Sequence, residues 1–360
     1  MSRRMTFALP HYYDHPIGGY KVHLQYANAF AERGDRVTVL HPLTCGSTAT
    51  LRETAVYLRG RARKATGQPI IPWFASHPEV RHKLVRSLDG SHLPEADVTI
   101  LTGWQSSEST RRPSPQSGVL MQIVYDYEFW MGNPDHRERI EAALVRPDVA
   151  HVSTSTAVTS MLTDIGVDPF ATITAGLQPG DFGVDSPIDG RSPVIGFPLR
   201  DEPAKDMPTL FTSIALVRRA FPNVRVQCFG GSAGLAVPAG VESLGRLTNS
   251  ELRAFYNGCS IFMLSSRYEG WGLPALEAMA CGATVVSTRN GGTEDFVHDG
   301  HTGVLVPTGD AASLAGAVLD LLGDSSRRSE IGRRGAAVAS RETVVRSADM
   351  LDDVIVRLCS

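Results

Sequence analysis

Two glutamates eight positions apart, Glu269 and Glu277, stand in Ser265-Ser-Arg-Tyr-Glu-Gly-Trp-Gly-Leu-Pro-Ala-Leu-Glu-Ala-Met-Ala-Cys-Gly282, and a basic pair, Arg200 and Lys205, precedes them. Carboxylates can accept hydrogen bonds from ligand hydroxyls, while a planar guanidinium beside a compact ammonium suits two linked phosphates. Taken alone, Glu277 could equally be a first-turn helix acid, Glu269 a solvated loop charge and the basic pair surface decoration. The surroundings decide. Ile261-Phe-Met-Leu264 is a short continuous apolar run, as in a strand buried on both faces of a parallel sheet. Gly270 and Gly272 make the next loop permissive, Pro274 suits a first helical position and Gly282 a helix end. The spacing therefore predicts a strand, a glycine-rich turn and a helix from about Pro274 to Cys281, with Glu277 in its first turn. Amides around Gly272 to Leu276 would face outward at the carboxyl end of the sheet, where such sheets bind ligands and a helix start favours an anion.

The same strand-loop-helix logic places the basic pair. Pro193-Val-Ile-Gly-Phe197 reads as a strand and Pro208 to Ala220 as a helix, so Arg200 and Lys205 fall in the loop between them. Val224 to Phe229 with Gly230-Gly231, and the helix-like run Asn249 to Gly258, continue an alternating pattern. The front of the chain repeats it: a strand at Met5 to Leu9, a helix from about Tyr20 to Glu32 and a strand at Arg36 to Leu40. Gly18-Gly19 stands in this βαβ opening where a dinucleotide fold carries G-x-G-x-x-G, and by position it is either a flexible turn or a loop that approaches a phosphate. Strands at Ala96 to Leu101 and Gly118 to Val124 follow, the second running into Tyr125-Asp126-Tyr127-Glu128, where Asp126 either caps a helix or orients a hydroxyl. Leu177 to Pro187, rich in Pro, Gly and Asp, reads as a hinge, and from Ala312 onward the pattern is helical.

The 360 residues suit two domains, and 35 basic against 38 acidic residues leave a net charge of -3 that gives no global pull on nucleic acid. Five irregularly spaced cysteines indicate a reducing compartment, and the start Met1-Ser-Arg-Arg-Met-Thr lacks a signal-peptide core, so a cytoplasmic location is expected. Basic segments 59–64 (Arg59, Arg61, Arg63, Lys64) and 81–86 (Arg81, His82, Lys83, Arg86) read either as solvated faces or as contacts with an anionic acceptor or the inner face of a membrane. No apolar face accompanies them in the sequence pattern. Neither a zinc-type His/Cys cluster nor a D-x-D motif is present, so no metal is expected.

The string E-G-W-G-L-P-A-L-E-A-M-A-C-G, together with Val285-Val-Ser-Thr-Arg-Asn-Gly-Gly292 and Asp299-Gly-His-Thr-Gly-Val-Leu-Val306, resembles the signature of the retaining glycosyltransferases of family GT4. In weaker form the resemblance covers nearly the whole chain, and Asp126-Tyr-Glu128 resembles a string of rhamnosyltransferase-type members. The resemblance implies an α/β GT-B fold: two Rossmann-like doubly wound domains facing a cleft. Residues 1–180 would form the acceptor side, residues 188–342 the donor side, and residues 343–360 a helix crossing back to the first domain. It further implies that Glu269 lies at the donor sugar and Glu277 at the nucleotide ribose, and that Arg200 and Lys205 clamp the diphosphate. The backbone of Arg246 and Leu247 would read the nucleobase. Gly18 and Gly19 would approach the donor phosphate, while Gly270, Trp271, Gly272, Leu273 and Pro274 would line the donor pocket. Tyr125 and Tyr127 would lie toward the acceptor, with Asp126 acting on a hydroxyl. Many relatives carry His-Asp where this chain has Tyr125-Asp126, and Phe where it has Trp271.

The implied reaction is retaining transfer of a sugar from a nucleoside-diphosphate sugar to a hydroxyl acceptor, with no cofactor beyond that co-substrate. A GT-B-type epimerase, a phosphorylase using pyridoxal phosphate, or a catalytically silent sugar-nucleotide binder would share the fold. The two enzymes do not account for the glutamate pair and the basic pair together.

Overall fold

A computed structural model describes residues 2–15, 17–45, 49–90, 92–110, 113–125, 134–231 and 235–360. Asp126 and Tyr127 therefore lie outside the described residues. The chain divides into two units, Met1–Gly176 with Val344–Ser360, and Leu177–Thr343.

The first unit is built on a seven-stranded parallel sheet of order β3-β2-β1-β4-β5-β6-β7, with β1 at Arg4–Ala8, β2 at Arg36–Pro42, β3 at Arg81–Val85, β4 at Val98–Thr102, β5 at Val119–Val124, β6 at Val149–Ser153 and β7 at Ala171–Thr172. Every residue of β4 is buried, as a strand covered on both faces requires. The first helix is Gly18–Glu32, two residues longer at its start than the sequence suggests. The last helix, Val344–Cys359, belongs to this unit. Its buried residues Val344, Ser347, Ala348, Leu351, Val354 and Ile355 recur at helical spacing. Around that face, Arg33 holds Asp349 at 2.7 Å and Arg3 holds Asp352 at 2.5 Å.

The second unit has a six-stranded parallel sheet of order β10-β9-β8-β11-β12-β13, with β8 at Val194–Leu199, β9 at Arg225–Gly230, β10 at Glu242–Ser243, β11 at Ile261–Leu264, β12 at Thr284–Thr288 and β13 at Val304–Val306. All six residues of β8 and all four of β11 are buried. Ile195, Phe197, Met263 and Val286 meet Leu210, Ile214, Leu314 and Val318 of the covering helices in one core. The segment read as a hinge has no regular structure, yet it is tied down to this unit. Arg253 pairs with Asp185 at 2.5 Å and donates to Gly180 O, Asn257 donates to Gly183 O, and Asn249 donates to Asp181.

Histidines distinguish the two units. His23, His41 and His151 are buried in the first, and His41 Nε2 lies 2.9 Å from His82 Nδ1. Burial pushes His23, His82 and His151 down to about 4 and His41 down as well. These rings fold neutral, whereas in the unfolded chain they take a proton below about 6.5. The contribution of His23, His82 and His151 is therefore complete above that pH and is lost as pH falls through about 6.5 toward 4, on the order of 1–3 kcal/mol for each of the three, and His41 acts in the same direction. His298 and His301 of the second unit are exposed. Calorimetry across that pH range is expected to show the first unit's transition falling faster than the second's; parallel shifts would contradict this.

Candidate functional site

In the second sheet the connections from β8 and β11 leave in opposite directions, so the loops after Leu199 and Leu264 border the switch point at the carboxyl edge, outside which open α/β sheets bind ligands in a crevice. Arg200 follows β8 directly. Pro203–Lys205 forms a single 3₁₀ turn, and Asp206, at φ 46, caps the helix Met207–Ala220 through Thr209 N. The two loops are stitched together. Ser265 Oγ donates to Lys205 O at 2.8 Å and to Asp206 O at 3.1 Å, Arg267 N donates to Ala204 O, and Arg267 Nε donates to Asp206 Oδ2 at 3.0 Å.

That stitching brings the predicted residues together, in an arrangement the sequence did not specify. Lys205 Nζ lies 2.9 Å from Glu269 Oε1, which also accepts from Ser266 Oγ at 2.7 Å. The side chains are 23% and 13% exposed, so the pair is mostly withdrawn from solvent and one donor direction of the ammonium is already used. Arg200 is different: among the described residues it forms no ion pair. Its Nη1 donates weakly to Leu199 O at 3.4 Å, and its guanidinium lies 5.8 Å from the Phe229 ring centroid. Gly230, at φ +92, makes room, since a Cβ there would stand 2.3 Å from Arg200 Nη1. Gly230 N also donates to Gly245 O at 2.6 Å, which brings the loop of exposed Arg246 and half-buried Leu247 to the end of β9.

The helix after β11 is Leu273–Ala280, begun by Gly272 at φ 93, where a Cβ would stand 2.5 Å from Thr293 Cγ2. Two expectations need correcting. Glu277 is the fifth helical residue and not in the first turn, because Pro274 takes the second position rather than the first. The open amides are also fewer than expected. Pro274 has none, and Ala275 N and Leu276 N both donate to Gly272 O, which leaves those of Gly272 and Leu273 without an acceptor among the described residues. Glu277 Oε2 accepts from Tyr256 Oη at 2.8 Å. Tyr256 is fully buried among Phe229, Phe255 and Phe262, and nothing in the helix-like run Asn249 to Gly258 singles it out in the sequence. Trp271 is buried with its ring 5.1 Å from Phe296, and its Nε1 finds no partner among the described residues. Among the described residues no group of three or more His, Cys, Asp or Glu could hold a metal ion.

In the first unit, Gly18 and Gly19 open the first helix, and a Cβ on either would meet nothing within 4 Å. Tyr125, just past β5, places its Oη 3.3 Å from His23 Nδ1, which also lies 3.0 Å from Gly19 O. His23 is a residue the sequence reading missed; its only signal was its place one turn after Gly19.

Similar proteins define the class. The structure resembles Anabaena HepE in complex with UDP and glucose (TM-score 0.73, 16% identical, covering 98% of this chain and 100% of that one). It also resembles sucrose-phosphate synthase of Thermosynechococcus elongatus (TM-score 0.75, 18% identical, covering 99% of each). The fold is thus GT-B. Residues 183–338 match the family model of the glycosyl transferases group 1, in keeping with the GT4 resemblance of the motif they contain. Relatives include a D-inositol 3-phosphate glycosyltransferase of Stackebrandtia nassauensis, 27% identical over 68% of this chain, and an uncharacterized glycosyltransferase of Methanocaldococcus jannaschii, 36% identical over 26%. These matches span 58% and 27% of the two relatives' own lengths.

Proposed function

We propose that the chain is a retaining, metal-independent glycosyltransferase that moves a hexosyl or deoxyhexosyl unit from a nucleoside-diphosphate sugar to a hydroxyl of a glycan, a lipid-linked sugar or a small metabolite. The observation that carries this reading is the Lys205–Glu269 pair, formed where the loops after β8 and β11 are joined, the first loop opening on Arg200 and the second leading to the amides of Gly272 and Leu273. Breaking the bond from the anomeric carbon to the diphosphate builds positive charge on the sugar ring and negative charge on the departing oxygens. Arg200 and the two amides present fixed positive potential to those oxygens, and Lys205 adds its remaining N–H groups. Glu269, held by Lys205 and Ser266, supports the sugar; Glu277, held by Tyr256, takes the ribose. The acceptor attacks on the face the diphosphate leaves, and a departing phosphate oxygen takes the acceptor's proton.

On this reading the second unit holds the donor, with Arg246 and Leu247 at the base and Gly270 to Pro274 around the sugar nucleotide. The first unit serves the acceptor, and the open space before Gly18 and Gly19 lets the backbone of that loop approach the donor phosphate and the acceptor. Tyr125 and the residues 126–127 complete that side. Attachment to the cytoplasmic face of a membrane through the basic segments 59–64 and 81–86 belongs to the same reading.

The test is release of nucleoside diphosphate from UDP-, GDP-, dTDP- and ADP-sugars in the presence of a chelator. One donor is expected to turn over, and Glu269→Gln to stop it; binding without release would make the chain a silent binder. Tyr256→Phe is a finer probe. It removes one hydrogen bond to Glu277 worth about 1 kcal/mol, so nucleoside diphosphate binding measured by calorimetry is expected to weaken about fivefold. Unchanged affinity would detach Glu277 from the ligand.

A further inference from the structure

The helix Leu51–Ala65 turns its apolar stripe the wrong way for a helix on a folded domain. At helical spacing Leu51, Ala55, Leu58, Ala62 and Ala65 share one face. All five are exposed, Leu51 at 91% and Leu58 at 54%. The opposite face carries the helix's one buried residue, Gly60, seated on the Tyr12 ring so closely that a Cβ would stand 2.8 Å from it. A capping box between Thr50 and Glu53 fixes the first turn, so Leu51 is held outward by a formed helix end.

Cations border the stripe. The helix carries Arg52, Arg59, Arg61, Arg63 and Lys64 against Glu53 alone. Arg52 and Arg59 flank one side and Arg61 the other, and of these Arg59 is occupied by Asp14 at 2.8 Å. The edge strand β3 and the residue after it add exposed Arg81, Lys83 and Arg86. Burial raises the Tyr57 hydroxyl, and Arg61 and Arg86 both lie near enough to it to pull it down. Leucines between arginines are the pattern of a helix lying in a lipid interface, its apolar side in the acyl boundary and its cations at anionic headgroups. A second copy fits less well, because a symmetric contact would set these cations against one another.

We infer that the Leu51–Ala65 helix lies along an anionic lipid surface, with Leu51 and Leu58 entering it and Arg52, Arg61 and Arg86 on the headgroups. The inference deepens the membrane attachment proposed above and is independent of the transfer chemistry. Sedimentation of the full chain with phosphatidylcholine vesicles, with and without phosphatidylglycerol, tests it. Wild type is expected to pellet with the anionic vesicles at low salt, and Leu51→Ser/Leu58→Ser to lower the partition coefficient about tenfold with an unchanged melting temperature. Arg52→Gln/Arg61→Gln is expected to remove the preference for phosphatidylglycerol. No pelleting of wild type, or equal pelleting of the serine variant, overturns the inference, as does a dimer in solution that the serine substitutions dissolve. Release of nucleoside diphosphate by the serine variant separates the two ideas. Lost vesicle binding with release intact leaves the reaction standing, whereas vesicle binding by a chain that turns over no donor leaves only the lipid surface.

Discussion

Arg200→Ala is expected to lower turnover at saturating donor about 10²–10³-fold, the loss seen when one preorganised donor to a developing anion is removed. The effect follows from what the side chain lacks. Lys205 is already committed to Glu269, while Arg200 forms no ion pair among the described residues and stands over Phe229 at the end of β8. Its charge is thus the least compensated in the crevice. The half-buried side chain loses only its place over the Phe229 ring, so the melting temperature should change little. Arg200→Lys should recover little, because an ammonium on a flexible stem lacks the planar fork. Activity within a fewfold of wild type in Arg200→Ala would contradict this account.

Lys205→Met is expected to act on both activity and stability. It strands the carboxylate of Glu269 in a site 13% exposed, with Ser266 its one remaining side-chain donor among the described residues, and stability should fall by on the order of 1–3 kcal/mol, less than for a fully buried pair. The same stranded charge would face the incoming diphosphate, and turnover should fall by about 10³ as an attractive term becomes a repulsive one. The double variant Lys205→Met/Glu269→Gln separates the two effects. Stability should return toward wild type while turnover stays low, as read by thermal melts beside donor turnover. Recovery of both would make the pair a structural bridge and no part of the site.

The sequence carried the strand, turn and helix around Glu269 because a doubly buried strand, permissive glycines and a helix-starting proline are all local signals. Its errors were local too. Proline is tolerated anywhere in a first turn, where its missing N–H would be unpaired anyway, so Pro274 left the helix start uncertain by one residue and moved Glu277 past the first turn. What could not be read was partnership. Lys205 and Glu269 are 64 residues apart and meet only because β8 and β11 are neighbours. Tyr256 sits in a run that reads as ordinary helix core, and nothing before the fold says that its hydroxyl ends at Glu277. The outward stripe of Leu51–Ala65 stayed hidden for a related reason: three of its five members are alanines, and a pattern of leucine and alanine does not say which way it faces.

The central claim is that the crevice after β8 and β11 holds a diphosphate. Its most direct test is where the diphosphate lies in crystals of this protein grown with the nucleoside diphosphate of its preferred donor. The account predicts phosphate oxygens within hydrogen-bonding distance of the Arg200 guanidinium and the Gly272 and Leu273 amides, with Lys205 Nζ close by. A diphosphate bound elsewhere, with Arg200 facing solvent, would contradict it.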